Sequence, residues 1–557
     1  MSIVEVLLER RLIQPEQLAE AMELRKKEGL RVDRALVRLG YIPEETLLRI
    51  MSEQLSIPMV DLSTVTIDVE TLRSLPPKLV YRKNLVPIAR QNGTLTVATS
   101  DPFDLYAFDE LRLLTGLTIQ PMLAMEEDIS KIIKAHYGVG GDTIEEMMGG
   151  DDGVTVGGDA SAETEDLLEM AQEASVIKLV NEIFLEALNE RASDIHIEPY
   201  EKRLSVRYRV DGVLHDASMP PQISRFQAAI ISRIKILANM NIAEKRLPQD
   251  GRIKFQVGTR SIDVRVSVIP MLYGEGIVMR ILDTSTVLLT LQQLGMADDT
   301  FKIFRDIIER PHGILLVTGP TGSGKTTTLY AALQAIVSPE IKVVTTEDPV
   351  EYHLEGVNQI PVSPKIGMTF ARSLRAILRH DPDVVMIGEI RDLETAEAAI
   401  QASLTGHFVL STLHTNDSCS AATRLLDMGV EPFLVSSTLA GAMAQRLVRA
   451  VCPECKESYE PDRDTLPADF LLEPGAKLWR GVGCRKCRDT GYYGRQGIFE
   501  LLVVEDPVRE KIMVRAPSGD IVKVAKAGGL RLLREDGWIK VRAGITTPEE
   551  VMRSTKL

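Results

Sequence analysis

The chain has 557 residues, of which 44% are hydrophobic and 26% charged, with a formal net charge of −14 and a sequence pI near 5.3. That length exceeds one ordinary hydrophobic core and predicts three or four domains, while the acidic balance provides no overall field that would gather DNA or RNA as a partner. No apolar run approaches the about 18 residues a spanning helix needs, and the opening Met1–Arg11 has acids where a secretory signal has bases. The chain is therefore expected in the cytoplasm, meeting membranes only through other proteins.

Residues 1–138 read as an N-terminal docking module. Val6–Leu18 and Ala35–Leu47 form an internal helical repeat, each unit with a proline (Pro15, Pro43) at the predicted first helical position followed by acids. Residues 61–137 then mix strand-like pieces such as Thr94–Thr99 with helical ones, which predicts a small α/β part. Residues 139–165 turn to Gly, Asp and Glu with almost no aromatics. Such a composition cannot bury enough surface to fold and predicts a flexible linker that leaves the module mobile.

The next domain is expected over 166–293. An amphipathic helix, Val176–Arg191, places Ile177, Val180, Ile183, Phe184, Ala187 and Leu188 on one face and leads into Ser193–Pro199. Alternation there predicts a strand with Ile195 and Ile197 toward a core. Asp194, His196 and Glu198 share its other face, either as a metal site or, more simply, as the solvated side of a half-buried strand. Hairpins are predicted at Asp211-Gly212 and near Gly258-Thr259. The segment is dense in arginine: Arg207, Arg209, Arg246, Arg252, Arg265 and Arg280. A guanidinium from one subunit can stabilise the charge of an anion held by the next, and Arg265 and Arg280 are the candidates for that role.

Residues 294–557 carry the strongest signal. Gly319, Pro320, Thr321, Gly322, Ser323, Gly324, Lys325 and Thr326 fit the pattern G-x-x-x-x-G-K-[ST] residue for residue. Before them runs the apolar stretch Gly313–Thr318; after them, from Thr327 to Ile336, an Ala- and Leu-rich helical stretch. Strand, glycine loop and helix in that order predict a phosphate cradle for ATP, with Thr327 closing the binding set. Lys325 would reach the terminal phosphates and the Thr326 hydroxyl would ligate Mg²⁺.

Strands and helices continue to alternate: Ile341–Thr346, Phe370–His380, Asp383–Gly388, Leu393–Leu404 and His407–Thr412. This predicts a mostly parallel sheet with ligand groups at the strands' carboxyl ends, where Glu347, Glu389 and His414 fall. Gly388 stands where an Asp often precedes the Glu in such motifs. Metal ligation is therefore expected to be shared between Thr326 and either Glu347 or Asp348, leaving Glu389 to orient the attacking water. His414 is expected to sense the terminal phosphate; His407, at the strand's beginning, is an even choice between structure and site.

Two pairs, Cys452-x-x-Cys455 and Cys484-x-x-Cys487, predict a closed four-thiolate Zn²⁺ site within a small module at 450–492. A redox dithiol would need only one pair. Cys419 reads as a small buried side chain. Thr547-Pro-Glu-Glu550 predicts a capping box opening a last helix.

Thr345–Glu351, Ile387–Asp392 and Leu404–Asn416 resemble the aspartate box, Walker B element and histidine box of the secretion-ATPase superfamily, and the resemblance runs from Ser193 nearly to the end. Arg246–Arg252, Gly324–Tyr330 and Ala444–Arg449 look most like the type II secretion branch, with type IV pilus assembly ATPases as the alternative; retraction-type relatives commonly lack the cysteine pairs. The N-terminal repeat is similar to a module of secretion and pilus ATPases, some of which bind cyclic di-GMP through an Arg-Leu-Gly-led motif. Here those places read Ser2-Ile3-Val4 and Arg31-Val32-Asp33, a departure that favours protein docking. The resemblance implies an α/β chain with a RecA-like phosphate-loop ATPase core behind an α+β (PAS-like) middle domain. It also implies ATP, Mg²⁺ and Zn²⁺, a homo-hexamer, and peripheral attachment at the inner membrane through platform proteins, the L and F components of type II secretion. Hydrolysis would then power pseudopilus assembly and protein export.

Overall fold

The computed structural model describes residues 3–137, 143, 174–257, 260–283, 289–462, 466–473 and 475–556, apart from positions 29, 63, 66 and 73. The acidic stretch 139–165 thus lies, but for Thr143, outside the described residues. The chain forms two compact units, Met1–Leu282 and Asp283–Leu557.

In the first unit the predicted repeat forms paired helices, Ile3–Glu9 with Pro15–Glu28 and Val32–Arg38 with Glu44–Leu55. Leu7, Leu36, Leu47 and Leu48 are fully buried among them. Pro15 opens its helix as expected, whereas Pro43 sits one place before its helix in extended conformation (φ −63°, ψ 139°). A three-stranded sheet follows: β1 (Leu85–Gln91), β2 (Thr94–Thr99) and β3 (Thr118–Leu123), with β1–β2 antiparallel and β2–β3 parallel.

The arginine-rich segment folds as the helix Ala174–Asn189 and a six-stranded sheet. Its strands are β4 (Asp194–Pro199), β5 (Leu204–Val210), β6 (Val213–Asp216), β7 (Gln249–Val257), β8 (Arg260–Met271) and β9 (Gly274–Asp283), in the order β6-β5-β4-β9-β8-β7. Ile195 and Ile197 are fully buried, as the alternation requires. Asp211 (φ 48°) and Gly212 (φ 87°) make the β5–β6 turn, both in the left-handed region that a two-residue hairpin needs. The antiparallel pairing of β7 with β8 reaches Val257 opposite Arg260, while Gly258 and Thr259, where the turn is predicted, lie outside the described residues. The polar face of β4 is matched by arginines: Asp194 takes Arg280 Nε at 3.2 Å with Arg209 at 3.7 Å, and Glu198 pairs with Arg207. His196 stands between them with Nδ1 3.6 Å from Glu198.

The second unit is built on a seven-stranded sheet of order β12-β11-β13-β14-β10-β15-β18. Its members are β10 (Gly313–Thr318), β11 (Val343–Glu347), β12 (Val357–Pro361), β13 (Val384–Ile387), β14 (Phe408–Leu413), β15 (Leu439–Val451) and β18 (Tyr492–Val503). All neighbours are parallel except β15 and β18. Every residue of β10 and β14 is buried, the signature of strands covered on both faces. Alternate side chains enter opposite cores: Ile314 and Leu316 join Leu374, Ile400 and Leu425, while Leu315 and Val317 join Phe304, Tyr330 and Phe408. Each such side chain stabilises the fold by roughly 1.5–3 kcal/mol. The edge strand β12 and the long antiparallel pair β15–β18 had no place in the predicted alternation. A two-stranded ribbon, β16 (Lys456–Tyr459) with β17 (Leu478–Gly481), stands between them in sequence. The last helix, Pro548–Thr555, opens on Pro548 as predicted but without the capping box: Thr547 meets the Tyr492 hydroxyl at 2.9 Å and Glu550 turns to arginines.

Candidate functional site

The phosphate loop leaves the carboxyl end of β10 and enters the helix Lys325–Ile336, which begins two residues earlier than the composition suggested. Gly319 (φ 148°) and Gly324 (φ 89°) adopt backbone conformations that suit only glycine, and a Cβ on either would stand within 2.6 to 2.8 Å of Gln445 atoms on β15. No side chain caps the helix, so its first N–H groups and positive dipole end face the loop. The Ser323 hydroxyl is buried without a protein partner inside the same loop, and a Cβ on Gly322 would meet nothing within 4 Å. Unsatisfied donors around open space fit an anionic, oxygen-rich ligand such as a nucleotide phosphate chain.

Lys325 Nζ donates to the carbonyls of Gly319 (2.8 Å) and Pro320 (3.0 Å); burial pushes its pKa below the ordinary value, against the pull of nearby Glu389. Thr326 is exposed one step further along the helix. At the tips of the adjacent strands, Glu389 pairs with Arg391 and stands 3.4 Å from His414 Nε2. Lys325, Glu389 and His414 therefore converge at one end of the sheet although 89 positions separate the first from the last (414 − 325).

Glu347 is placed differently. It is 3% exposed, and its carboxylate accepts hydrogen bonds from Thr345 Oγ1 (2.5 Å), Gln359 Nε2 (3.1 Å) and the Tyr330 hydroxyl. That carboxylate thus ties β11 to the phosphate-loop helix. Asp348 beside it is exposed and within electrostatic reach of Arg391. His407 lies at the opposite end of β14 from His414, with Nδ1 against the carbonyl of Ala402 (2.9 Å) and Thr405 Oγ1 (3.1 Å); it finishes the preceding helix. Arg280 and Arg265 lie on the six-stranded sheet of the first unit, Arg280 paired with Asp194 and Arg265 opposite Arg252 across β7–β8.

Arg391 and Tyr330 were not singled out from sequence. Arg391 had a local signal, a charge two places after the strand-tip acid, while Tyr330 looks like any aromatic on an apolar helix face.

The four cysteines form a second site. Cys452 follows β15, Cys455 precedes β16, Cys484 follows β17 and Cys487 precedes β18, so the strand ends bring two knuckles together. Their sulfurs lie within 4.8 Å of one another, with Cys452–Cys484, Cys455–Cys487 and Cys484–Cys487 each at 3.7 Å. Four ligands at about 2.3 Å around a tetrahedral Zn²⁺ define edges of about 3.8 Å. The set therefore fits zinc, with no position left for water, and the amides of Cys484 and Gly491 donate to Cys487 Sγ at 3.2 and 3.3 Å. Cys419 is fully buried and its thiol is pushed up to about 12 by burial, which leaves it inert.

Residues 169–553 match the family described as type II/IV secretion system protein, and residues 55–143 match the MshEN domain. The chain is 45% identical over 563 residues to the type II secretion system protein E of Xanthomonas campestris, covering all of this chain and 98% of that protein. It is 42% identical to the type IV pilus assembly ATPase PilB of Myxococcus xanthus, over 99% of this chain and 98% of the relative. With the type II secretion system ATPase E of Vibrio cholerae the identity is 54%, over 71% of this chain and 78% of that one. A RecA-like sheet bearing a phosphate loop, in a chain matched along its full length by such relatives, has one reading: the protein belongs to the type II/IV secretion system family of secretion ATPases.

Proposed function

We propose that the chain is a Mg²⁺-dependent ATP hydrolase that drives pseudopilus assembly and protein export in type II secretion, working as a homo-hexamer at the cytoplasmic face of the inner membrane. The convergence of Lys325, Glu389 and His414 beside the phosphate loop carries the reading of hydrolysis. The loop amides and Lys325 hold the phosphate chain. Thr326 and the exposed Asp348 would meet Mg²⁺ or its waters, with Glu347 bracing the helix rather than ligating. Bound Mg²⁺ would neutralise charge between the last two phosphates. Glu389 orients the attacking water, Arg391 and His414 hold its carboxylate in place, and His414 responds to the terminal phosphate. Arg265 and Arg280 act on a neighbouring subunit's nucleotide.

No described helix is long and apolar enough to cross a membrane. Attachment runs through platform proteins, the L and F components, docked by the N-terminal module at residues 1–138. The middle domain spans 166–293 and the ATPase domain 294–557, with its zinc module at 450–492. The 42% identity to a pilus assembly ATPase over nearly the full length favours a second reading, extension of a type IV pilus. Two measurements test the proposal. Purified full-length protein should release phosphate from Mg-ATP, and Lys325→Ala should abolish it; normal turnover in that variant refutes the cradle. Capture of a type II L component but not of a pilus platform protein separates the two readings, and the reverse result selects the pilus.

A further inference from the structure

β15 runs parallel to β10 with Ala444 opposite Thr318, the last residue before the phosphate loop. β10 stops there, but β15 continues, so Gln445 and Arg446 lie along the flank of the loop itself. Gln445 is 2% exposed, and its Oε1 accepts a hydrogen bond from Thr328 Oγ1 at 2.8 Å, in the first turn of the phosphate-loop helix. Its carbonyl and amide group are the atoms that crowd Gly319 and Gly324, at 2.6 and 2.8 Å from the position of a Cβ. The first and last glycines of the loop are thus both seated on one residue of the neighbouring strand.

Arg446 extends the contact to the other side of the site. Nη1 donates to the Gln445 carbonyl at 3.2 Å and lies 3.2 Å from the Gly319 Cβ position. Nη2 donates to the Asn416 carbonyl (3.1 Å) and to Asn416 Oδ1 (3.2 Å). Asn416 is two residues beyond His414, which stands against Glu389. The half-buried guanidinium therefore joins the phosphate loop to the turn that carries His414. All of these acceptors are neutral oxygens, and the positive charge lies within electrostatic reach of Lys325. Burial pushes the Arg446 pKa down, against the pull of Glu500 and Asp417, which lie within electrostatic reach of the same guanidinium.

We propose that Arg446, seated by Gln445, is a positioning residue that sets the distance between the phosphate loop and the His414–Glu389 pair, so that the water oriented by Glu389 meets the terminal phosphate in register. The proposal rests on the reading of this site as an ATP hydrolase. A planar fork bridges the Gln445 and Asn416 oxygens at a fixed separation, whereas the single ammonium of lysine cannot span them. Displacement of a catalytic group by about 1 Å costs about 100-fold in rate while leaving ground-state binding nearly intact.

The test uses full-length protein carrying Arg446→Lys, Arg446→Gln or Asn416→Ala, the last removing the side-chain acceptor from the other end of the contact. Affinity for a fluorescent non-hydrolysable ATP analogue, kcat and KM for Mg-ATP, and the melting temperature are measured together. The expected result is a kcat at least 20-fold lower in both Arg446 variants, a smaller loss in the same sense for Asn416→Ala, analogue affinity within threefold of wild type and an unshifted melt. Combining Arg446→Gln with His414→Ala should add less than threefold to the loss from His414→Ala alone, because Arg446 acts through the turn that carries His414. The proposal is overturned if kcat stays within threefold of wild type, if the loss appears in affinity instead, if the losses multiply in the double variant, or if only unfolded variants lose rate while a folded Asn416→Ala keeps it. Lys325→Ala runs in parallel: should it still bind and turn over ATP, the reading of the site fails, whereas an inactive Lys325→Ala beside a fully active Arg446→Gln removes only the role of Arg446.

Discussion

Glu550 permits a prediction whose size follows from the structure. It lies in the first turn of the last helix with its side chain 2% exposed, and it accepts hydrogen bonds from the Arg449 amide (3.1 Å), Arg449 Nη2 (2.6 Å), Arg553 Nε (2.9 Å) and Arg553 Nη2 (2.8 Å). Burial works to raise its pKa, but the hydrogen bonds from Arg553 and Arg449 outweigh it and bring the carboxyl from its ordinary 4.5 to about 2. A depression of that size corresponds to roughly 3 kcal/mol favouring the docked helix, or a factor of about 300 in its opening equilibrium. Because the folded-state value is the lower one, the contribution is present above 4.5 and is lost as pH falls toward 2; by pH 3 less than about half remains. Glu550→Gln keeps the size of the side chain and removes the charge. Hydrogen exchange of residues 548–556 in the full-length chain should then quicken by about 100-fold or more at pH 7, with the two proteins approaching each other at pH 3. A difference under threefold at pH 7, or one that persists unchanged at pH 3, refutes the view that charge pairing holds this helix to β15.

Glu389→Gln should bind ATP normally and lower kcat by about 100-fold to 10,000-fold, the range for loss of a positioned acid or base; wild-type turnover removes it from the mechanism. Purified protein should contain one zinc per chain, and Cys484→Ser should lose the metal and loosen residues 452–493 to proteolysis; metal-free wild type with an intact, protease-resistant segment would count against the zinc assignment. Leu410 is fully buried in the central strand β14, so Leu410→Ala should destabilise the second unit by about 2–5 kcal/mol in urea unfolding, and a change below about 1 kcal/mol would contradict the packing described.

Local chemistry was enough to locate much of this protein. The glycine loop, the four cysteines and the strand-tip residues Glu389 and His414 are legible because each is defined by short-range spacing: loop glycines by backbone torsion, thiolates by the i, i+3 knuckle, acids by their place after an apolar run. The parallel alternation was readable for the same reason, since strands buried on both faces are continuous apolar runs. What the linear order could not disclose depends on neighbours distant in sequence. Glu347 and Glu389 look alike as acids ending adjacent strands, yet Tyr330 and Gln359 reach the first and His414 and Arg391 the second, so their surroundings differ completely. His407 and His414 are separated only by which end of β14 each occupies. Gln445 lies in a stretch marked only by family resemblance, and its contact with Gly319, Gly324 and Thr328 exists because β15 inserts beside β10 and outruns it. Spacing along the backbone thus determined which chemical groups the protein owns, while strand order and register decided which of them face one another, because side-chain direction and partner are properties of the assembled sheet and not of any segment within it.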